Sequence, residues 1–115
     1  MHELDGQVLA SARAHALSEP YEETAGLIFN FDKLYFYPIK NNSTQKEDHF
    51  KLDKRVSLLR DKLHSVFHSH PASDAYPSSA DMEISAQSKL PFLIYSCLYD
   101  NFLFFDTREC NVVRE

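Results

Sequence analysis

The sequence predicts an α/β domain in which helices pack against a central sheet. Three observations carry this. Helical and strand patterns follow one another in the order α-β-β-α-β-α-β-β, which brings short strands together under amphipathic helices. The strand segments are compact apolar runs rich in aromatic and branched residues, whereas the helical segments space their apolar residues by three and four. The chain has 115 residues, 43% apolar and 25% charged, which suits one globular domain over residues 1–115.

Residues 4–17 place Leu4, Val8, Leu9, Ala12 and Ala16 at helical spacing, with Pro20 just beyond as a stop. Residues 25–31 (AGLIFNF) form a buried strand and residues 33–39 (KLYFYPI) an aromatic one, a hairpin turning at residues 30–33. Residues 41–48 are polar and predict a loop, in which the two N-x-S/T matches are turn signals. Residues 53–63 set Val56, Leu59 and Leu63 on one helical face, with their charged residues outside. Residues 65–68 are a short strand, 72–77 a loop, and 79–89 a second short helix. Pro91 then opens two strands, residues 92–99 and 102–107, joined by a tight turn at Asp100 and Asn101.

Composition excludes several classes. A formal net charge of −5 without a basic run argues against a nucleic-acid surface. The two cysteines, Cys97 and Cys110, form neither a C-x-x-C pair nor a disulfide framework, and Cys97 lies in an apolar run as a small hydrophobe. The polar N-terminus does not resemble a signal peptide, and no apolar run approaches the ~20 residues of a membrane span. The expected location is a cytoplasm, or a particle assembled there.

Chemistry concentrates in His68-Ser69-His70-Pro71, with Ser78 and Asp81 downstream. On a strand, His68 and His70 project from one face and can grip one ion, and Pro71 ends the strand because it has no N–H for the ladder. Asp81 returns from the start of the next helix as a third ligand. Two imidazoles and a carboxylate leave the fourth position of a hydrolytic zinc to water. Ser78 and Asp81 also have the spacing of a helix capping box. A hydrolytic site further needs a general base that is not a ligand. Glu22 and Glu23 stand at the entrance of the first buried strand, and only one of two adjacent extended residues can face the site. The residues alone do not choose between them.

A Glu before a strand, then H-S-H-P, with seven residues between the second histidine and the serine of S-x-x-D, resembles the JAMM motif of the MPN+ metallopeptidases. The resemblance covers nearly the whole chain. It implies a single-domain α/β/α sandwich with a central mixed β-sheet, similar to cytidine deaminases, and a Zn2+ site at the sheet edge. His68, His70 and Asp81 match the zinc ligands, and Ser78 matches the serine that hydrogen-bonds the reacting carbonyl oxygen. The family's acid commonly stands three residues before a glycine, so Gly26 selects Glu23, with Glu22 as the fallback. Ala25 stands where microbial members often carry cysteine.

The compact length is similar to phage tail assembly proteins of the lambda type and to bacterial sulfur-carrier processing enzymes. The resemblance thus implies zinc-dependent hydrolysis of an amide or isopeptide bond. The expected partners are a peptide, peptidoglycan or ubiquitin-like protein substrate, or phage tail proteins, with no nucleic acid and no membrane. The alternative is a non-catalytic, zinc-bearing structural module of a phage tail. A deaminase is excluded, because histidine replaces glutamate in H-x-E and no P-C-x-x-C occurs. The helical motif H-E-x-x-H is absent as well. His2, His15, His49 and His64 have no partner at ligand spacing and stay outside the expected site.

Overall fold

The computed structural model describes residues 4–39, 59–106 and 109–115. Helix α1 (Gly6–Ser18) leads into strands β1 (Ala25–Asn30) and β2 (Leu34–Ile39). A 3-10 turn (Arg60–Lys62) precedes β3 (Leu63–His70), followed by helix α2 (Ser79–Ser88) and strands β4 (Phe92–Ser96), β5 (Asn101–Asp106) and β6 (Glu109–Val112). The strands form one sheet in the order β2-β1-β3-β4-β5-β6. β3 and β4 run parallel, and the other neighbours are antiparallel. The sheet is therefore mixed, and α2 lies in the crossover that the parallel pair requires.

Each face of the sheet carries its own core. On one, α1 buries Val8, Leu9, Ala12 and Ala16 against Ile28, Phe67, Leu93, Tyr95 and Phe102. Asp5 starts this helix by accepting the Val8 N–H at 2.9 Å. On the other face, Met82 and Ile84 of α2 pack on a core that includes Leu27, Phe29, Val66, Phe92 and Ile94. Central strand β4 is buried along its whole length, which is why it reads as a continuous apolar run. The expected arrangement of a mixed sheet between helices is what the chain adopts.

Several boundaries differ from the sequence expectation. The strand expected over 65–68 extends from Leu63 to His70, so both histidines lie within it. The helix expected over 53–63 ends differently: residues 60–62 are a 3-10 turn and Leu63 already pairs with Phe29. Residues 53–58 of that helix and the loop 41–48 lie outside the described residues. β4 stops at Ser96, because residues 97–100 form the turn and Asp100 takes φ 51°. The last strand, β6, was not expected. All four of its residues are exposed, so no hydrophobic alternation announces it, and it is held by ladder pairing to β5.

Gly26 fixes how closely β1 and β2 approach. A Cβ there would lie 2.6 Å from Phe36 Cε1 and 3.1 Å from the Tyr37 carbonyl oxygen. Phe36 in turn sits edge-on to Phe67, with ring centroids 5.5 Å apart. Gly26→Ala should therefore destabilise the protein by about 1–3 kcal/mol through overpacking. Urea denaturation measures this, and a midpoint equal to wild type would mean that Phe36 moves aside freely.

Candidate functional site

His68 and His70 occupy the C-terminal end of β3, where neighbouring Ile94 and Ser96 of parallel β4 pair with them. Two residues apart on a strand, they share the face that carries Val66 and the α2 core. Both are buried, and so is Asp81. Asp81 arrives from the first turn of α2, as the sequence predicts. His68 Nδ1 lies 3.2 Å from Asp81 Oδ1, and His70 Nε2 lies 3.0 Å from Asp81 Oδ2. The His68 ring also packs on Phe92, with centroids 5.0 Å apart.

One carboxylate thus serves two roles. Its Oδ2 accepts the Ser78 N–H at 3.0 Å, while the Asp81 N–H donates to Ser78 Oγ at 3.1 Å. This reciprocal pair is the capping box that the spacing predicts, with Ser78 as N-cap. Ser78 Oγ acts there as an acceptor, which leaves its own O–H available to donate. Ser78 is exposed at the mouth of the site.

His70 is oriented from behind by a group that sequence reasoning missed. Its Nδ1 lies 2.9 Å from the Asp74 carbonyl oxygen, which can only accept. Nδ1 therefore carries a proton, and Nε2 is the nitrogen turned toward the site. A backbone carbonyl leaves no residue-type signature. The only sequence cue is the turn that holds it, in which Asp74 Oδ1 accepts the Tyr76 N–H at 3.1 Å.

The β1–β3 register leads toward the two candidate acids. Ala25 pairs with His68, and the Ser69 N–H donates to the Thr24 carbonyl at 3.0 Å. Continued extension by one residue would bring Glu23 to the level of His70, whose pKa the Glu23 charge raises. Glu22 precedes it in the turn, where its N–H donates to the Glu19 carbonyl at 3.2 Å. His64, by contrast, sits at an irregularity in the ladder: Ile28 pairs with Ser65 and Phe29 with Leu63, so His64 faces no β1 residue. It turns toward Phe104, with centroids 5.8 Å apart, away from the site.

The donor chemistry fits zinc, which takes imidazole nitrogen and carboxylate oxygen. Among the described residues no three such side chains surround one metal-sized centre, because the carboxylate closes directly on both rings. The N···O separations of 3.2 and 3.0 Å are nevertheless only slightly shorter. The ligand–ligand edge of a zinc tetrahedron with bonds of about 2.0–2.1 Å is ~3.3 Å.

Electrostatics bind the cluster together. The hydrogen bond with Asp81 raises the His70 pKa above its ordinary value against the opposing effect of burial, and the Asp74 carbonyl and the charges of Asp81 and Glu23 act in the same direction. Burial works to raise the Asp81 pKa, yet hydrogen bonds from His68, His70 and the Ser78 amide outweigh it and hold the carboxyl well below the usual range. The sign follows for each group. The raised His70 contributes stability that is complete below its unfolded value of about 6.5 and is lost as pH rises through the folded value. The depressed Asp81 contributes above its unfolded value of about 3.9 and loses that contribution as pH falls through the folded value. In chelator, the melting temperature should therefore fall as pH rises above about 6.5, and Asp81→Asn should flatten this slope. A slope unchanged in the variant would place the pH dependence elsewhere.

Comparison with known proteins agrees with this architecture. Residues 6–108 match the profile described as prokaryotic homologs of the JAB domain. No curated protein matches the chain. The solution structure of a protein from Desulfitobacterium hafniense is 26% identical, covers 99% of this chain and 90% of its own, and gives a TM-score of 0.62. The crystal structure of a JAB1/MPN domain protein from Archaeoglobus fulgidus is 16% identical, with coverage of 93% and 90% and a TM-score of 0.64, a likeness of fold. A Salinibacter ruber protein in solution is 20% identical, with coverage of 96% and 87% and a TM-score of 0.55. With a mixed sheet between helices and a match over residues 6–108, the chain belongs to the family of prokaryotic JAB-domain homologs.

Proposed function

We propose that this protein is a zinc-dependent metallopeptidase or isopeptidase, hydrolysing an amide or isopeptide bond. The observation that carries this reading is the pairing of one buried carboxylate, Asp81 of α2, with both His68 and His70 of β3, at 3.2 and 3.0 Å. Zinc held by these three residues would supply a water of lowered pKa and a Lewis acid for the substrate carbonyl. The Asp74 carbonyl keeps the His70 ring oriented, with Nε2 left as the nitrogen that would bind the ion. Glu23, on the same face, accepts the proton of the attacking water and delivers it to the leaving amine nitrogen. Ser78 donates its O–H to the carbonyl oxygen as negative charge develops there. Its N-cap position fixes Oγ beside Asp81, so helix start and oxyanion donor are one residue.

The substrate class is a peptide, a peptidoglycan cross-link or a ubiquitin-like tail. The deciding experiment pairs zinc content with cleavage of muropeptides and isopeptide-linked ubiquitin-like conjugates. About one zinc per chain is expected. Glu23→Gln should retain that zinc while kcat falls on the order of 10²–10⁴-fold. Full activity in Glu23→Gln would remove Glu23 from the mechanism and transfer its role to Glu22. Chelation should abolish cleavage of wild type, and added zinc should restore it; insensitivity to chelation would overturn the reading.

One observation favours a second reading, a non-catalytic structural module such as a phage tail assembly would use. The carboxylate of Asp81 bonds directly to a ring nitrogen of each histidine, so the cluster is held together by its own hydrogen bonds. Stoichiometric zinc with no cleavage by wild type would support that module.

A further inference from the structure

Behind the histidines, on the opposite face of the sheet, lies a buried hydroxyl pair that the mechanism above does not use. Ser69 is fully buried and Thr24 nearly so. Ser69 Oγ accepts the Thr24 N–H at 2.8 Å and the Thr24 Oγ1–H at 2.8 Å. The Ser69 N–H completes the set by donating to the Thr24 carbonyl at 3.0 Å. Ladder pairing of β1 with β3 runs only to Ala25 and His68. Beyond that pair, these three bonds carry the register on toward Glu23.

We propose that Ser69 is a positioning residue: its hydroxyl clamps Thr24 to β3 and thereby holds Glu23 beside His70. This rests on the reading of Glu23 as the general base. The geometry gives the reason. Thr24 lies between Glu23 and Ala25, and alternation along extended chain puts the Thr24 side chain on the Ser69 face and Glu23 on the His70 face. Fixing Thr24 therefore fixes the direction in which Glu23 leaves the backbone. Misplacement of a catalytic group by about 1 Å costs on the order of 100-fold in rate. The middle residue of H-S-H-P is thus part of the site although it faces away from it.

The experiment compares Ser69→Ala with Ser69→Thr, which keeps the acceptor, in wild-type and Glu23→Ala backgrounds. Zinc content, amide hydrogen exchange at Thr24, and kcat and KM on the substrate that wild type cleaves are measured. Ser69→Ala should bind zinc as wild type does, exchange the Thr24 amide faster, and lower kcat by about 10–100-fold with KM little changed. Ser69→Thr should restore both exchange and kcat. In the Glu23→Ala background, Ser69→Ala should cost nothing further, because the residue acts through Glu23. Unchanged exchange at Thr24 would overturn the clamp whether or not the protein is an enzyme. A kcat loss that persists in full without Glu23 would overturn the positioning role. Wild type that cleaves nothing fails the peptidase reading instead, and the exchange measurement then still decides the clamp.

Discussion

The antiparallel register between β1 and β3 is the constraint on which the rest of the site depends. Ala25 opposite His68 and Gly26 opposite Phe67 set which side chains share a face. A slip of one residue would turn every β1 side chain to the other face and bring Glu22, not Glu23, beside the histidines. Several features oppose such a slip. Gly26 is the residue over which the Phe36 ring closes, and no other position of β1 could shift beneath it without a Cβ meeting that ring. Leu27 and Ile28 are fully buried in opposite cores, so an exchange of faces would disrupt both. The Thr24–Ser69 bonds lock the end of the ladder.

Asp81 joins this sheet to the helical layer. A buried carboxylate is costly unless its oxygens are satisfied, and here they accept from two imidazoles and a backbone amide. The interaction that begins α2 is therefore the same one that gathers the histidines. Helix position and site geometry cannot vary independently, because both are anchored on one side chain. The cores beneath α2 then hold the helix against the strands that carry the site.

The opposite face gives the sheet its second support. Arg13 of α1 reaches Asp100 at 3.0 Å and the Glu115 carboxylate, with its guanidinium over the rings of Tyr95 and Phe102 at 5.7 and 5.2 Å. The exposed ion pairs add little by themselves, and the packing of the guanidinium on buried rings adds more. This contact holds the β4–β5 turn, next to which the Cys97 N–H donates to the His70 carbonyl at 3.0 Å. His15 does similar work at the other side. Its Nε2–H donates to the Ala25 and Ile39 carbonyls at 3.0 and 3.2 Å, joining α1 to the segment that starts β1. Spacing along the chain had given His15 no partner, because its partners are backbone carbonyls.

What the sequence determined by itself was local. Alternation within H-S-H-P put His68 and His70 on one strand face, Pro71 ended the strand, and the Ser78–Asp81 spacing encoded the helix cap that the structure contains. The central strands and α1 were legible because their apolar spacing follows from burial on one or both sides. β6 was not, since a strand held at an edge by backbone bonds needs no hydrophobic pattern. Only the tertiary structure decided that His64 points toward Phe104, that the Asp74 carbonyl bonds His70, and that the Ser69 hydroxyl accepts from Thr24. The physical reason is range. Local spacing fixes side-chain direction within one segment, whereas relations between segments depend on strand register and helix docking, which packing of the whole chain sets.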